Sequence, residues 1–216
     1  MKKKTRLLLA LGLLTAFAIW TVLLGYIDVR AIGPRGSAVG FAGLNSWFHN
    51  LTGVHFLLYH ITDWAGLVPI AVCLCFAILG LCQWINRRSI SKVDFSILIL
   101  GGFYLLTMGA YILFEYITVN YRPVLIAGYL ETSYPSSTTL LVLCVMPTTM
   151  LQLKNRISNP FFRSVTLWSI GIFMVFMVLG RLISGVHWLS DIIGGSLLSS
   201  GLVMLYSWAN KKTLSS

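Results

Sequence analysis

The chain has 216 residues, of which 57% are hydrophobic and only 10% are charged. These values, with a mean hydropathy of +0.83, exclude an ordinary soluble globular domain and indicate an integral membrane protein. The net charge of +10 would suggest a nucleic-acid partner for a soluble protein, but the positions of the basic residues along this chain favour a topological role instead.

Six apolar segments approach the roughly 20 residues that a bilayer span needs. They cover residues 7–25, 67–85, 95–114, 138–153, 165–179 and 192–208. Short connections between them predict an all-α fold, a six-helix membrane bundle that forms one domain over residues 1–216. The first segment follows a basic stretch, as a secretory signal would, but its apolar run over 7–24 is longer than a usual signal core. We therefore expect it to remain as an anchor.

The basic residues predict the orientation of the bundle. An even number of spans puts both termini on one side, and that side then receives 12 of the 16 basic residues: Lys2, Lys3, Lys4, Arg6, Arg87, Arg88, Lys92, Lys154, Arg156, Arg163, Lys211 and Lys212. The other side keeps Arg30, Arg35, Arg122 and Arg181. By the positive-inside rule the termini are cytoplasmic, and no nucleic-acid partner is expected.

The segment between the first two predicted spans is amphipathic instead of continuously apolar. Residues 41–66 mix aromatic, apolar and histidine side chains, which is typical of a helix that lies in the membrane interface. The four cysteines all fall in predicted spans and are expected to be small core residues, without a metal or redox role. They are Cys73, Cys75, Cys82 and Cys144.

Polar residues gather where the predicted spans meet the outer surface. Glu115 and Arg122 end the third span, seven residues apart and on one face if the helix continues as far as Pro123. Residues 135–138, Pro-Ser-Ser-Thr, form a helix start whose hydroxyls and free N–H groups attract anions.

The stretch RLISGVHWLSD, residues 181–191, adds Arg181, His187 and Asp191. A carboxylate one helical turn after a histidine can orient the imidazole and leave Nε2 free as a nucleophile or base. A membrane-edge arginine often only contacts headgroups, and a histidine–aspartate pair is often structural. The coincidence of these residues on one face, where ionisable residues are scarce elsewhere, favours a functional site that binds phosphate.

These residues resemble the motifs of the type 2 phosphatidic acid phosphatase (PAP2) superfamily of membrane lipid phosphatases. The family pattern is K-x6-R-P, then P-S-G-H, then S-R-x5-H-x3-D. In this chain the corresponding positions are Glu115, Arg122 and Pro123; Pro135, Ser136, Ser137 and Thr138; and Gly180, Arg181, His187 and Asp191. The resemblance extends over about residues 60–208 and implies a six-span bundle with its site at the outer face.

The resemblance also implies a role for each residue. His187 would attack phosphorus to form a phosphohistidine, and Asp191 would orient His187. The phosphoryl oxygens would be held by Arg122, Arg181, Ser136 and Ser137. Water would then release phosphate from a membrane lipid, without a metal or other cofactor. The resemblance implies no particular oligomeric state.

Three positions depart from the family pattern, because Glu115 replaces lysine, Thr138 replaces the histidine that protonates the leaving oxygen, and Gly180 replaces serine. One interpretation is a leaving group that needs no proton, which favours a polyprenyl diphosphate such as undecaprenyl diphosphate, since a phosphate ester has a second pKa of about 6. Another is that Glu115, with its pKa raised in a site of low dielectric constant, supplies the proton, or that His55 or His60 does.

A third interpretation is that hydrolysis is lost and the chain binds a phospholipid headgroup, for which Glu115 would suit a cationic group. Transfer of the phosphoryl group to an acceptor other than water is a related alternative. Because Arg122, Arg181, His187 and Asp191 all remain, an active phosphatase is the favoured prediction.

Overall fold

A computed structural model describes residues 3–210 of the chain, and Lys2, Lys211 and Lys212 lie outside the described residues. The described part contains eight α-helices and no β-strand. The helices are α1 (Lys3–Leu24), α2 (Ala42–Thr52), α3 (Phe56–Ala65), α4 (Leu67–Arg87), α5 (Phe95–Tyr116), α6 (Ser137–Arg156), α7 (Pro160–Ile183) and α8 (Leu189–Asn210). The predicted all-α membrane fold is confirmed.

Each of the six predicted spans corresponds to one long helix. Within residues 3–210, five helical stretches are long and apolar enough to cross a membrane: α1, the stretch Phe56–Arg87 that joins α3 to α4, α5, α7 and α8. The sixth, α6, packs against α4, α5, α7 and α8 and turns polar residues such as Thr148 and Gln152 into the protein interior. A helix surrounded by protein does not need an apolar surface all round, so the polar residues of α6 are compatible with a sixth span. The count of six spans remains a prediction.

The first and last described helices pack along each other. Arg6 Nη1 of α1 donates to Ser207 Oγ of α8 over 2.7 Å, and Trp20 Nε1 donates to the Ser190 carbonyl oxygen over 3.2 Å. These contacts hold both ends of α8 against α1. The start of α8 carries Asp191 and follows His187 by two residues.

Two short helices occupy the region for which the sequence predicts one interfacial helix. Gly53 has a φ of 69° and ends α2, after which the His55 N–H donates to the Ser184 carbonyl oxygen. A Cβ atom on Gly185 would lie 2.0 Å from the Gly53 oxygen. The break therefore fits the connection between α2 and α3 against the turn that precedes His187.

The segment between α5 and α6 folds back on itself. The N–H of Arg122 donates to the Glu131 carbonyl oxygen, and the N–H of Ser133 donates to that of Asn120. The turn at its tip has φ values of 48° at Ala127 and 81° at Gly128, the positive pair of a type I′ hairpin turn. The condition under which Glu115 and Arg122 would share a helix face is not met, because α5 ends at Tyr116 and this hairpin carries Arg122.

Candidate active site

A cavity of about 490 Å³ opens at the end of the bundle where α6 and α8 begin. We call it the polar cavity. Of the residues predicted for the site, it is lined by Arg122, Arg181, His187, Glu115, Ser137 and Thr138. The chain thus brings together side chains from α5, α6, α7, the hairpin and the α7–α8 turn.

His187 is buried in a setting that selects one tautomer. Its Nδ1 lies 3.1 Å from the Ser133 carbonyl oxygen, and since that oxygen can only accept, Nδ1 carries the proton. Nε2 lies 3.3 Å from Arg122 Nη1 and 3.4 Å from Arg181 Nη2, and guanidinium groups can only donate. The Nε2 lone pair therefore faces the two arginines.

The electrostatic surroundings agree with a neutral imidazole. Burial, together with the positive charges of Arg122 and Arg181, holds the pKa of His187 well below its usual range, against the opposing effect of the hydrogen bond to Ser133. A histidine that stays neutral keeps its nucleophilic lone pair.

Asp191 lies behind the imidazole and is fully buried. Its Oδ2 accepts a hydrogen bond from the Trp188 N–H over 2.9 Å, and its Oδ1 accepts one from Asn120 Nδ2 over 3.3 Å. The separation from Asp191 Oδ2 to His187 Nδ1 is 3.7 Å, too long for a hydrogen bond. Nδ1 of His187 therefore donates to the Ser133 carbonyl oxygen instead of to Asp191, the partner that the sequence predicts. Asp191 lies near the ring as a negative charge without a direct hydrogen bond to it.

Both arginines have carboxylate neighbours. Arg181 Nη1 lies 3.4 Å from Asp63 Oδ1, and Arg122 Nε lies 3.0 Å from Glu131 Oε2. The ring of Tyr59 lies 5.0 Å from the guanidinium carbon of Arg181 and 5.9 Å from that of Arg122. The buried Nε of Arg181 has no hydrogen-bond partner within residues 3–210. A buried donor of this kind is costly unless a ligand satisfies it.

The two serines predicted to bind phosphate have different positions. Ser137, the first residue of α6, lines the polar cavity. Ser136 is fully buried and is not among the lining residues; its N–H donates to the Asp191 carbonyl oxygen over 3.2 Å, and its Oγ accepts from Thr139 Oγ1 over 3.0 Å. Ser136 therefore joins α6 to α8 beneath the cavity.

The positions weighed as proton donors are exposed. Glu115 lines the polar cavity but has an exposed side chain, so the expected environment of low dielectric constant is absent there. His55 and His60 are also exposed and do not line the cavity, and His55 Nε2 donates to the Thr52 carbonyl oxygen. Thr138, which corresponds to the family histidine in the motif, also lines the cavity.

Sequence reasoning did not assign several residues of this site. Asp63 and Glu131 contact the arginines, Tyr59 packs against both, and Ser133 and Asn120 hold His187 and Asp191. The chain has only six acidic residues, and four of them meet here. The scarcity of acidic residues could have indicated that Asp63 and Glu131 belong to the site. The role of the Ser133 main-chain carbonyl could not be predicted, because every residue has such a group.

A second, mostly apolar cavity of about 840 Å³ runs along α4, α5 and α6. We call it the apolar groove. It shares Asp63, Tyr111, Ser137, Thr138 and Leu140 with the polar cavity. Along α4 it extends from Leu67 to Trp84, about 25 Å at 1.5 Å per residue. The apolar groove thus leads directly into the polar cavity, which holds the two arginines.

The family model of the PAP2 superfamily matches residues 98–214, more than half of the chain. The chain belongs to the PAP2 superfamily. The region matched in this PAP2 member includes Arg122, Arg181, His187 and Asp191, and the resemblance predicted from the motifs is confirmed.

A solved structure also resembles this PAP2 member: the first transmembrane PAP2 type phosphatidylglycerolphosphate phosphatase from Bacillus subtilis, with a TM-score of 0.61 and 17% sequence identity. The alignment covers 94% of this chain and 96% of that one, so the two share a fold along almost their whole lengths. None of the curated proteins matches the chain significantly.

Proposed function

We propose that the chain is a membrane lipid phosphatase that works through a phosphohistidine at His187. The observation that carries the proposal is the unprotonated Nε2 of His187, which faces a cavity between Arg122 and Arg181. Membership of a superfamily of lipid phosphatases supports the same reaction class. The fold it shares with a transmembrane protein supports a site at a membrane.

In the first step Nε2 attacks the terminal phosphorus, so that an N–P bond forms and the bond to the leaving oxygen breaks. Arg122 and Arg181 turn their N–H groups from the imidazole to the equatorial phosphoryl oxygens, where negative charge accumulates. The proton stays on Nδ1, which continues to donate a hydrogen bond to the Ser133 carbonyl oxygen. In the second step water attacks phosphorus, the N–P bond breaks, and inorganic phosphate leaves.

The favoured substrate is a lipid diphosphate with a polyprenyl chain. Thr138 cannot act as an acid near neutral pH, and Glu115, His55 and His60 are exposed. A leaving phosphate ester needs no proton, whereas an alkoxide does. The apolar groove supports a long hydrocarbon tail, which would lie along α4 and α5 with its phosphate in the polar cavity.

We place this site on the extracytoplasmic face of a cell membrane. The support is the distribution of basic residues, which gather at the opposite end of the long helices. On this topology the substrate enters from the outer leaflet and phosphate leaves to the aqueous phase outside.

The exposed Glu115 favours a second candidate, a headgroup binder without hydrolysis. Together with Asp63 and Glu131 it gives the polar cavity three carboxylates beside the two arginines. A zwitterionic headgroup would suit that mixture of charges.

The decisive experiment measures phosphate release by purified protein in detergent with EDTA present. Undecaprenyl diphosphate, phosphatidate and phosphatidylglycerophosphate are each offered alone. We expect release from the diphosphate, its loss in His187→Ala, and full activity in His60→Ala, a matched change of an exposed histidine outside the cavity. A folded wild type that releases no phosphate from any of the three lipids would contradict the enzyme and leave the headgroup binder.

A further inference from the structure

Beneath the polar cavity lies a second cluster of polar side chains that does not line it. Its members are Asn45, Asn120, Ser190 and Asp191, each no more than 1% exposed. They come from α2, the α5–α6 hairpin and the start of α8. Buried polar groups persist where they are satisfied by one another. Here Asn45 joins α2 to Ser190, whereas Asn120 joins the hairpin to both Ser190 and Asp191.

The hydrogen bonds determine how each amide is oriented. The N–H of Gly40 lies 3.5 Å from Asn120 Oδ1, which leaves Asn120 Nδ2 to donate to Asp191 Oδ1 over 3.3 Å and to Ser190 Oγ over 3.4 Å. The N–H of Ser190 donates to Asn45 Oδ1 over 3.1 Å. Asn45 Nδ2 then donates to Ser190 Oγ over 3.0 Å.

Of the two asparagines, Asn120 is the one that reaches the carboxylate. A buried carboxylate needs donors on its oxygens to remain ionised. Asp191 receives one on Oδ2 from the Trp188 N–H and one on Oδ1 from Asn120. Loss of Asn120 would leave Oδ1 without this donor, and would free the carboxylate to turn from the imidazole.

The position of the carboxylate matters most after phosphoryl transfer. An imidazole that is phosphorylated on Nε2 and protonated on Nδ1 carries positive charge, and Asp191 Oδ2 lies 3.7 Å from that Nδ1. In a buried site an aligned negative charge at this distance stabilises the cation.

We propose that Asn120 is a positioning residue that acts through Asp191 on the phosphohistidine step. The proposal rests on the function proposed above. The hairpin would then have two roles at one site, since Arg122 holds the phosphoryl group while Asn120, two residues earlier, holds the carboxylate behind the nucleophile.

A double-mutant cycle tests this role. Phosphate release from undecaprenyl diphosphate is measured for wild type, Asn120→Leu, Asp191→Asn and the double variant. We expect Asn120→Leu to lower kcat by about 10- to 100-fold, the effect of losing one hydrogen bond to a charged group, with KM nearly unchanged. In the Asp191→Asn background the same change should cost little, because residues that act as a unit are not additive.

Asn45→Leu is the matched control, since it removes an equally buried amide that contacts Ser190 and not the carboxylate. Its kcat should stay close to wild type. Gel filtration and circular dichroism in detergent establish that each variant is folded, and Asn120→Ala replaces Asn120→Leu if the larger side chain prevents folding.

The outcomes separate the two proposals. The positioning role alone is overturned if the wild type is active but the kcat losses of Asn120→Leu and Asp191→Asn multiply in the double variant. It is also overturned if Asn45→Leu and Asn120→Leu lower kcat equally. A folded wild type that releases no phosphate from undecaprenyl diphosphate, phosphatidate or phosphatidylglycerophosphate overturns the phosphatase, and the positioning role with it.

Discussion

Arg181 illustrates how this site holds positive charge in a buried place. Its side chain is 1% exposed, whereas that of Asp63, its carboxylate neighbour, is 54% exposed. An arginine so enclosed is costly without a compensating anion. On the proposed function, we expect the exposed carboxylate to move away when a phosphoryl group arrives, so that Asp63 and Glu131 serve as exchangeable counter-ions for the two arginines.

Removal of one counter-ion should strengthen phosphate binding. In Glu131→Gln, Arg122 loses a carboxylate at 3.0 Å that competes with the ligand. We expect the inhibition constant of inorganic phosphate to fall by about two- to fivefold, the worth of a partly exposed ion pair. Asp28→Asn, which removes the exposed partner of Arg30, is the control and should leave that constant unchanged. Weaker inhibition of Glu131→Gln would show that Glu131 supports the site instead of competing within it.

The ionisation of His187 is a second expectation at this scale. Burial and two neighbouring arginines lower its pKa, so the neutral form persists as the pH falls through 6.5, where an unperturbed histidine is half protonated. In NMR spectra of protein with labelled histidine, the His187 signal, assigned from its absence in His187→Asn, should not titrate between pH 8 and pH 6. In Arg181→Gln the titration should move to higher pH, because one repelling charge is gone. A wild-type midpoint near 6.5 would refute this account of the nucleophile.

Among the elements, α5 forms one wall of the apolar groove and offers a matched pair of glycines. Gly101 lines the groove, whereas its neighbour Gly102 does not, and a Cβ atom at either position meets nothing within 4 Å. The two positions therefore differ in the surface that an added side chain would occupy.

We expect Gly101→Leu to obstruct the lipid tail. Each methylene group displaced from the groove costs about 0.8 kcal/mol, so the loss of two would raise KM for a long-chain lipid diphosphate by about tenfold. Gly102→Leu should change KM little, and a short water-soluble diphosphate should be hydrolysed equally by both variants. Equal KM values for the long lipid in the two variants would mean that the tail lies elsewhere.

The end of α5 and the start of α6 carry two of the three departures from the family motifs, Glu115 and Thr138, and a combined variant tests their meaning. Glu115→Lys with Thr138→His would restore a positive charge and a proton donor beside the polar cavity. Phosphate release from phosphatidate should then rise relative to release from undecaprenyl diphosphate, because an alkoxide leaving group gains a proton. Unchanged selectivity between the two lipids would count against the leaving-group argument.

Element boundaries mark the limit of sequence reasoning on this chain. The start of α6 at Ser137 follows from its proline and hydroxyl residues, and the structure agrees within one residue. The predicted end of the third span at residue 114 lies two residues before the end of α5 at Tyr116. The hairpin that follows was not predicted, because Asn120 and Arg122 pair with Ser133 and Glu131, more than eight residues away in sequence. Backbone pairing of this kind depends on tertiary structure, so local periodicity does not reveal it.

For the whole molecule, the six apolar segments and the motif spacings were sufficient to predict the membrane fold and the superfamily. Composition could not foresee that α6 lies within the bundle, where polar residues such as Gln152 find partners; Gln152 Nε2 donates to Tyr206 Oη over 2.7 Å. Similarly, the meeting of Asp63 with Arg181, 118 residues apart, depends on how the helices pack.

The orientation in the membrane is a prediction for the intact protein. In a variant whose four cysteines are replaced by alanine, a single cysteine is introduced at Tyr129, which is 72% exposed at the hairpin tip, or at Ser91 in the connection between α4 and α5. A membrane-impermeant maleimide added to intact cells should label Tyr129→Cys and spare Ser91→Cys. Labelling of Ser91→Cys but not of Tyr129→Cys would place the site on the cytoplasmic face of the membrane.

The pairing of α1 with α8 has a consequence for biogenesis. Of the described helices α8 is the last to leave the ribosome, yet it supplies Asp191 and closes against α1, the first. During synthesis, Arg122 of the hairpin can enter the membrane before His187 and Asp191 have been translated. On the proposed mechanism the nascent chain therefore has no complete site until α8 inserts, and we expect a chain truncated before α8 to release no phosphate from lipid.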